Sequence, residues 1–78
     1  MKDTEPTYNR IKEVLADKGI KQIWLAEKLG KTHRTVNMYV NNEVQPPIPV
    51  LFEIAKLLDV DPKELLNTAS KTKDFETA

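Results

Sequence analysis

One short segment concentrates side chains that could make directional hydrogen bonds. Between Thr32 and Met38 the chain carries a guanidinium, a carboxamide, an imidazole and two hydroxyl groups. Arg34 could donate paired hydrogen bonds to guanine O6 and N7, and Asn37 could bond adenine N6 and N7. A methyl group of methionine or threonine could meet a thymine methyl. The candidate base-reading residues are Thr32, His33, Arg34, Thr35, Asn37 and Met38.

A second set of candidates flanks this segment and suits phosphate rather than bases. Gln22 stands at the predicted start of a helix, where its amide and the free backbone N–H groups could hold an anion. Lys21, Lys31 and Asn41 complete the set. Such contacts fix the position of a protein on DNA and carry no sequence information. The alternative for both sets is that they are ordinary solvated residues at helix surfaces and ends.

The sequence contains no residue pattern typical of an enzyme active site or of a metal site. His33 is the only histidine and cysteine is absent, so no metal site or metal cofactor is expected. The two glycines, Gly19 and Gly30, are assigned to helix ends, which leaves no glycine-rich loop for a phosphate cofactor. No nucleophile stands with a base, so we expect no catalytic residues and no enzyme activity.

Length and charge narrow the class of protein. A chain of 78 residues encloses one modest core and therefore one domain. No apolar run approaches the roughly 20 residues that span a bilayer, and no cysteines form disulfides, so a cytoplasmic protein is expected. Net charge is zero, but residues 10–42 carry +4 and residues 43–78 carry −3. Both the base-reading and the phosphate-contact candidates lie in the basic half. A segment with a charge of +4 is also common on ordinary solvated helices.

The periodicity of apolar residues predicts an all-α protein. A first helix should begin after Pro6 with Thr7 as N-cap and end at Gly19, and a second should run from Gln22 to Leu29. A third should be capped by Thr32 and end at Asn41-Asn42, a pair that tolerates left-handed backbone. The predicted inward residues of these three helices are Tyr8, Ile11, Val14, Leu15, Leu25, Ala26, Leu29, Val36, Tyr39 and Val40.

Two further helices are predicted downstream. A fourth carries Pro49 in its first turn and ends at Leu58, with Leu51, Ile54, Ala55 and Leu58 inward. A fifth should begin with Asp61 as N-cap, Pro62 at the first position and Glu64 completing a capping box. Phe52 is expected in the core. Trp24 is expected to pack against the first helix, although an exposed partner surface is the alternative.

The succession of Gln22, Leu25, Ala26, Leu29, Gly30 and Thr32 resembles the phage-repressor, Cro-like (XRE) helix-turn-helix family. The resemblance covers residues 8–67 and implies a five-helix, lambda-repressor-like domain with the helix-turn-helix in helices 2 and 3. An N-terminal extension, 1–7, and a flexible polar tail, 68–78, should flank it. The chain departs from the family pattern at Lys21, Lys31, Asn42, Pro47 and Pro49, and Asn42 replaces a usual glycine.

The resemblance implies sequence-specific binding of double-stranded DNA, with the third helix in the major groove. The expected protein is a homodimeric, nucleoid-associated transcription regulator of the repressor or controller type on a palindromic operator. Two alternatives stay open. The module also occurs in antitoxins, which usually need a segment that binds the toxin, and here the short acidic tail is a weak candidate for that segment. Zero net charge and Trp24 would also suit an adaptor that binds an unknown protein and no DNA.

Overall fold

A computed structural model describes residues 7–67, which form an all-helical unit. Most of the predicted N-terminal extension, and the whole predicted tail, lie outside the described residues. Four α-helices and one short 3-10 turn follow in chain order: α1 Ile11–Lys18, α2 Gln22–Leu29, α3 His33–Val40, α4 Ile48–Leu58 and the 3-10 turn Pro62–Leu65.

The core is built from one apolar stripe of each helix, because residues three and four apart lie on the same helical face. Every inward residue predicted from Ile11 onward is buried except Leu29, which is half-buried against the core. Leu65, in the 3-10 turn, is fully buried beside them. This shared burial is the main source of stability, since each buried aliphatic side chain contributes about 1.5–3 kcal/mol.

The predicted start of the first helix is wrong. Helix α1 begins at Ile11 with Arg10 in the N-cap position, and Thr7 does not cap it. The preceding segment instead makes an antiparallel bridge between Asn9 and Leu66. Tyr8, predicted to be inward, is 52% exposed, because the chain there is not helical and the helical spacing does not apply.

The predicted fifth α-helix is also wrong, since Pro62–Leu65 is a single 3-10 turn. Asp61 makes no side-chain cap, and the Glu64 N–H donates to the Asp61 carbonyl at 2.9 Å. The chain leaves the turn to pair with the N-terminal segment. Arg10 N–H donates to the Leu65 carbonyl (2.8 Å), and Asn67 N–H donates to the Tyr8 carbonyl (2.9 Å). These long-range bonds prevent a longer helix.

Phe52 is the third correction. Its side chain is 56% exposed, because the stripe of Leu51, Ile54, Ala55 and Leu58 already fills the core side of α4. The predicted place of Pro49 is confirmed, since it lies in the first turn of α4, where a missing N–H costs no helical bond.

A residue with left-handed backbone follows each of the four α-helices. Gly19 (φ 67°) and Gly30 (φ 72°) end α1 and α2 as predicted. Asn42 (φ 61°) confirms the expected left-handed turn after α3, and Asp59 (φ 62°) takes the same conformation after α4. Asn42 and Asp59 are the non-glycine residues with positive φ within the described range.

The Asn42 side chain joins the end of α3 to the N-terminal segment. Its Oδ1 accepts from the backbone N–H groups of Tyr8 (2.8 Å) and Asn9 (3.0 Å) and from Gln45 Nε2 (3.1 Å). Its Nδ2 donates to the Asn9 carbonyl at 3.1 Å. A glycine here would remove all four hydrogen bonds. Asn42 therefore both adopts the left-handed turn and fastens the N-terminal segment to the end of α3.

Asn9 extends this network into the interior. It is the buried polar residue of the described part, with 5% of its surface exposed. Its Nδ2 donates to the Tyr39 carbonyl (2.9 Å) and to Gln45 Oε1 (2.8 Å), and its Oδ1 accepts from the Ile11 N–H (3.1 Å). The amide therefore serves the start of α1 and the end of α3 together, as a buried amide must to offset its desolvation.

Replacing Asn42 with the family's usual glycine should destabilise the protein. Glycine relieves the left-handed backbone by about 1–2 kcal/mol, but the four lost hydrogen bonds, worth about 0.5–1.5 kcal/mol each, outweigh that gain. We expect Asn42→Gly to lower the free energy of unfolding by about 1–3 kcal/mol. Urea denaturation followed by circular dichroism measures the difference.

Asp59→Gly is the matched control. Asp59 has nearly the same φ, but its carboxylate has no hydrogen-bond partner among residues 7–67. Glycine there relieves the backbone and removes a negative charge from the unfavourable C-terminal end of α4. Stability should stay equal or rise. A matching rise in both variants would contradict the stabilising role of the Asn42 side chain.

Candidate nucleic-acid interface

Helices α2 and α3 are held as one unit by a short turn. Gly30 ends α2 in left-handed backbone, and the Lys31 N–H donates to the Ala26 carbonyl at 3.0 Å. Leu25 and Ala26 on α2 are buried together with Val36 and Tyr39 on α3. The packing on one side of α3 therefore decides which residues its other side presents to solvent.

Thr32 caps α3, as predicted. Its Oγ1 accepts from the Thr35 N–H at 3.1 Å and lies 3.0 Å from Thr35 Oγ1, to which it donates. The Thr32 hydroxyl is therefore occupied at the helix end, whereas the Thr35 hydroxyl only accepts and keeps its own O–H donor; Thr35 is half-buried. The two residues can offer a ligand this one donor, spare acceptor capacity and their methyl groups.

The other base-reading candidates differ in exposure. His33, Arg34 and Asn37 are exposed on the outer side of α3, whereas Met38 is half-buried. Among the residues that the structure describes, the Arg34 guanidinium has no hydrogen-bond or ionic partner. Its planar set of donors is therefore available to a ligand, and it matches acceptors that lie side by side.

Three amide side chains form a hydrogen-bonded chain across α2 and α3. Asn37 Nδ2 donates to Gln22 Oε1 at 3.1 Å, and Asn41 Nδ2 donates to Asn37 Oδ1 at 3.1 Å. We call Gln22, Asn37 and Asn41 the amide chain. It brings together residues predicted separately as a base reader and as phosphate contacts.

The amide chain fixes the orientation of the Asn37 carboxamide. Each carboxamide has two N–H donors on nitrogen and two lone pairs on oxygen. After the bonds to Gln22 and Asn41, Asn37 keeps one donor and one acceptor, and both belong to an exposed side chain. One donor beside one acceptor is the pattern that adenine N7 and N6 complement in the major groove.

The helix-turn-helix segment carries an excess of positive charge. Residues 21–41 carry Lys21, Lys28, Lys31 and Arg34 against a single acid, Glu27. Lys21 and Lys31 are exposed at the two ends of α2. The chain as a whole has zero net charge, but its helix-turn-helix segment is basic, and positive charge is attracted to a phosphate backbone.

Trp24 is not in the core. Its side chain is 37% exposed and lines a shallow depression with residues of the α1–α2 turn and with Ile23, which is 54% exposed. The Lys28 Nζ lies 5.7 Å from the centre of the indole ring, within cation–π distance. The neighbours of the indole are thus the α1–α2 turn and Lys28, and the expected packing against the first helix stays a prediction.

The sequence patterns did not reveal the link between Gln22 and Asn37. They are 15 positions apart on different helices, so only the crossing of α2 and α3 brings them together. The sequence did show two carboxamides, Gln22 at the first position of α2 and Asn37 in the middle of α3, from which a contact between them could have been suspected.

Other kinds of site find no support in residues 7–67. That range contains no group of three or more histidine, cysteine or acidic side chains placed to hold a metal ion. None of its helices is both long and apolar enough to cross a membrane.

Comparison with known proteins places this geometry in a family. The family model for helix-turn-helix proteins matches residues 11–65. The crystal structure of a putative DNA-binding protein from Bacteroides fragilis is similar, with a TM-score of 0.75 and 46% sequence identity, over 76% of this chain and 95% of that one. Comparison with curated protein sequences gives no match. The chain belongs to the XRE-type helix-turn-helix family.

Proposed function

We propose that this protein binds a specific sequence of double-stranded DNA as a homodimeric transcription regulator of the repressor or controller type. The observation that carries the proposal is the amide chain, which presents an oriented Asn37 on the exposed side of α3. The family membership and the DNA-binding description of the similar structure support the same function.

Helix α3 has the shape and surface for the major groove. It is eight residues long, with Val36, Tyr39 and Val40 buried and its polar residues on the opposite side. The major groove is about 12 Å wide and admits an α-helix. Placing the outer face of α3 there brings Arg34 and Asn37 to base edges, with His33, Met38, Thr32 and Thr35 around them.

Arg34 and Asn37 would each recognise a different base pair of the DNA site. The unpaired guanidinium of Arg34 fits guanine O6 and N7, and the remaining donor and acceptor of Asn37 fit adenine N7 and N6. Each such bidentate pair discriminates against the wrong base by about 1–3 kcal/mol. The proposed operator half-site therefore contains a G·C pair and an A·T pair.

The start of α2 would hold the phosphate backbone. Lys21, in the N-cap position, makes no side-chain cap, and the Trp24 N–H donates to its carbonyl at 3.1 Å, so the backbone N–H groups of Gln22 and Ile23 stay available to an anion. The Gln22 amide still has its Nε2 donors, because Asn37 occupies only Oε1. Lys21, Lys31 and Asn41 would add further phosphate contacts.

A second candidate function is a protein adaptor without DNA binding. The exposed Trp24 and Ile23 favour it, because exposed apolar side chains that lie together often mark partner surfaces. The basic surroundings and the amide chain would have no role in such an adaptor, so we place it second.

Binding to duplex DNA should weaken steeply with salt. Contacts to phosphates release counterions, so affinity falls linearly on a logarithmic plot against salt concentration. Fluorescence anisotropy with selected duplexes, measured from about 50 mM to about 200 mM salt, gives the slope. No binding at the lower concentration would favour the adaptor over the regulator.

Arg34→Ala should change specificity, whereas Lys31→Ala should change only affinity. Loss of Arg34 removes a base contact and should relax the preference at one base pair by about 1–3 kcal/mol. Loss of Lys31 removes a phosphate contact and should weaken binding to all duplexes alike, with a smaller salt slope. Competition among single-base variants of the best duplex measures both. Equal effects of the two changes on every duplex would refute this division.

Gln22→Ala should affect the same base pair as Asn37→Ala. Without Gln22 the Asn37 carboxamide loses one of the two bonds that orient it, so discrimination at its base pair should fall. The double variant should show coupling, with an interaction energy of about 0.5–3 kcal/mol between the two sites.

Lys21→Ala is the matched control for Gln22→Ala. Lys21 is adjacent to Gln22 and has no bond to Asn37 among the described residues. The Lys21→Ala change should therefore lower affinity equally for all duplexes. If Gln22→Ala behaves like Lys21→Ala and is additive with Asn37→Ala, Gln22 contacts phosphate without orienting Asn37.

A further inference from the structure

The shallow depression at the α1–α2 turn is an exposed apolar surface outside the packed core. It is lined by Gly19, Ile20, Lys21, Ile23 and Trp24. Ile23 is 54% exposed and Trp24 is 37% exposed, because the core side of α2 is formed by Leu25 and Ala26. An indole and a branched aliphatic side chain that lie together at the surface favour an apolar occupant.

The charge at this depression is positive. Lys21 is the charged residue of its lining, and Lys28 Nζ lies 5.7 Å from the centre of the Trp24 ring. The acid of α2, Glu27, does not line the depression. Lysine side chains are long and flexible, so both ammonium groups can move toward a ligand at the rim. An apolar side chain with negative charge beside it would therefore suit this surface.

One segment of this chain beyond the described residues has that chemistry. Phe75 is the one large apolar side chain in residues 68–78, and it stands between Asp74 and Glu76. The lysines of the same stretch, Lys71 and Lys73, both precede these three residues. The negative charge is thus placed directly on either side of the aromatic ring.

We propose that segment 74–76 of the same chain docks in this depression. Phe75 lies against Trp24 and Ile23, so that two aromatic rings and an aliphatic side chain leave water together. The two neighbouring carboxylates lie close to the lysine ammonium groups at the rim. The contact gives a role to an exposed indole that neither the core nor the proposed DNA contacts use.

The chain is long enough for this contact within one molecule. Asn67 is held just before α1, where its N–H donates to the Tyr8 carbonyl and its Nδ2 donates to the Thr7 carbonyl. The depression lies at the other end of α1, which has 8 residues and is about 12 Å long. The stretch from Asn67 to Phe75 can span up to about 26–29 Å. Because the tether is short, the segment also has a high effective concentration at the depression.

Charge selects this depression over the groove on the outer face of α4. That groove is also apolar, and Phe52 in its lining is 56% exposed. The same lining carries Glu53 as well as Lys56, so the carboxylates beside Phe75 would meet a like charge there. The lining of the α1–α2 depression contains no acid.

Docking would regulate DNA binding, and this consequence rests on the proposed function. Lys21 is also proposed to contact phosphate, so a carboxylate beside it competes with DNA for the same ammonium group. If about half of the chains are docked, the apparent affinity for DNA falls about twofold.

Trp24 is the single tryptophan of the chain, so its fluorescence reports on the depression directly. Phe75→Ala in the full chain, without DNA, should shift the emission to longer wavelength. If about half of the chains are docked, release of the segment should raise the acrylamide quenching constant about twofold. Phe52→Ala is the matched control, because Phe52 is the other phenylalanine and lies on α4, and it should change neither reading. Unchanged emission and quenching in Phe75→Ala overturn the proposal.

The carboxylates are tested with the same readings. Asp74→Asn together with Glu76→Gln should raise quenching toward the level of Phe75→Ala. Lys71→Gln together with Lys73→Gln is the matched control, because it removes two charges of the opposite sign, and it should leave the segment docked. If the two double variants act alike, the carboxylates do not select the depression and that part of the proposal is overturned.

A spin label locates the segment. The chain has no cysteine, so Thr77→Cys carries the label at one position. In the NMR spectrum the label should broaden the indole N–H signal of Trp24 and the amide signal of Ile23. Broadening at Phe52 and Lys56 instead would place the segment in the α4 groove and overturn the proposal. Broadening of isotope-labelled protein by a separate spin-labelled sample mixed with it would show docking between copies and overturn the contact within one chain.

DNA titration keeps this proposal distinct from the proposed function. Phe75→Ala should bind duplex about twofold more tightly than the wild type, whereas Phe52→Ala should not. Equal affinity of Phe75→Ala and the wild type overturns the competition at Lys21. If Trp24 fluorescence responds to Phe75→Ala but no duplex binds, the docked segment stands and the regulator is removed. If duplex binds and the fluorescence does not respond, the regulator stands and the docked segment is removed.

Discussion

The buried amide of Asn9 is the constraint that the rest of the domain depends on. It bonds the Tyr39 carbonyl at the end of α3, the Ile11 N–H at the start of α1 and the Gln45 side chain of the following loop. Asn42 completes the arrangement by holding the backbone on both sides of the Asn9 peptide. A buried polar group left without its partner costs about 1–3 kcal/mol, so these elements are stable only together.

This constraint connects the fold to recognition. The end of α3 is fixed from inside by Asn9 and from the turn by Asn42, while the start of α3 is fixed by Thr32. On the outer side, Gln22 and Asn41 hold Asn37 between them. A side chain that is already ordered loses little conformational entropy on binding, so preorganisation of α3 should contribute to affinity as well as to specificity.

The features that depend on neighbouring residues could be predicted, and those that depend on distant contacts could not. The apolar stripes, the glycine stops, the Thr32 cap and the left-handed Asn42 follow from local spacing and backbone sterics. The prediction of a fifth α-helix was wrong because the chain after Glu64 pairs with the N-terminal segment, and this pairing competes with helix formation. Gln22 and Asn37 were individually predicted as DNA contacts, but their mutual bond depends on how α2 crosses α3.

The bridge between Asn9 and Leu66 has a consequence for the order of folding. Helices α2 and α3 are joined by a short turn, so their packing closes only a small loop, whereas the bridge must bring together residues from nearly opposite ends of the described range. Closing the longer loop has the larger entropic cost. The bridge should therefore form late and open first, and each opening would briefly release Asn9 from the last turn of α3. Fraying at the ends of the domain is in this way coupled to motion in the helix that we propose to read DNA.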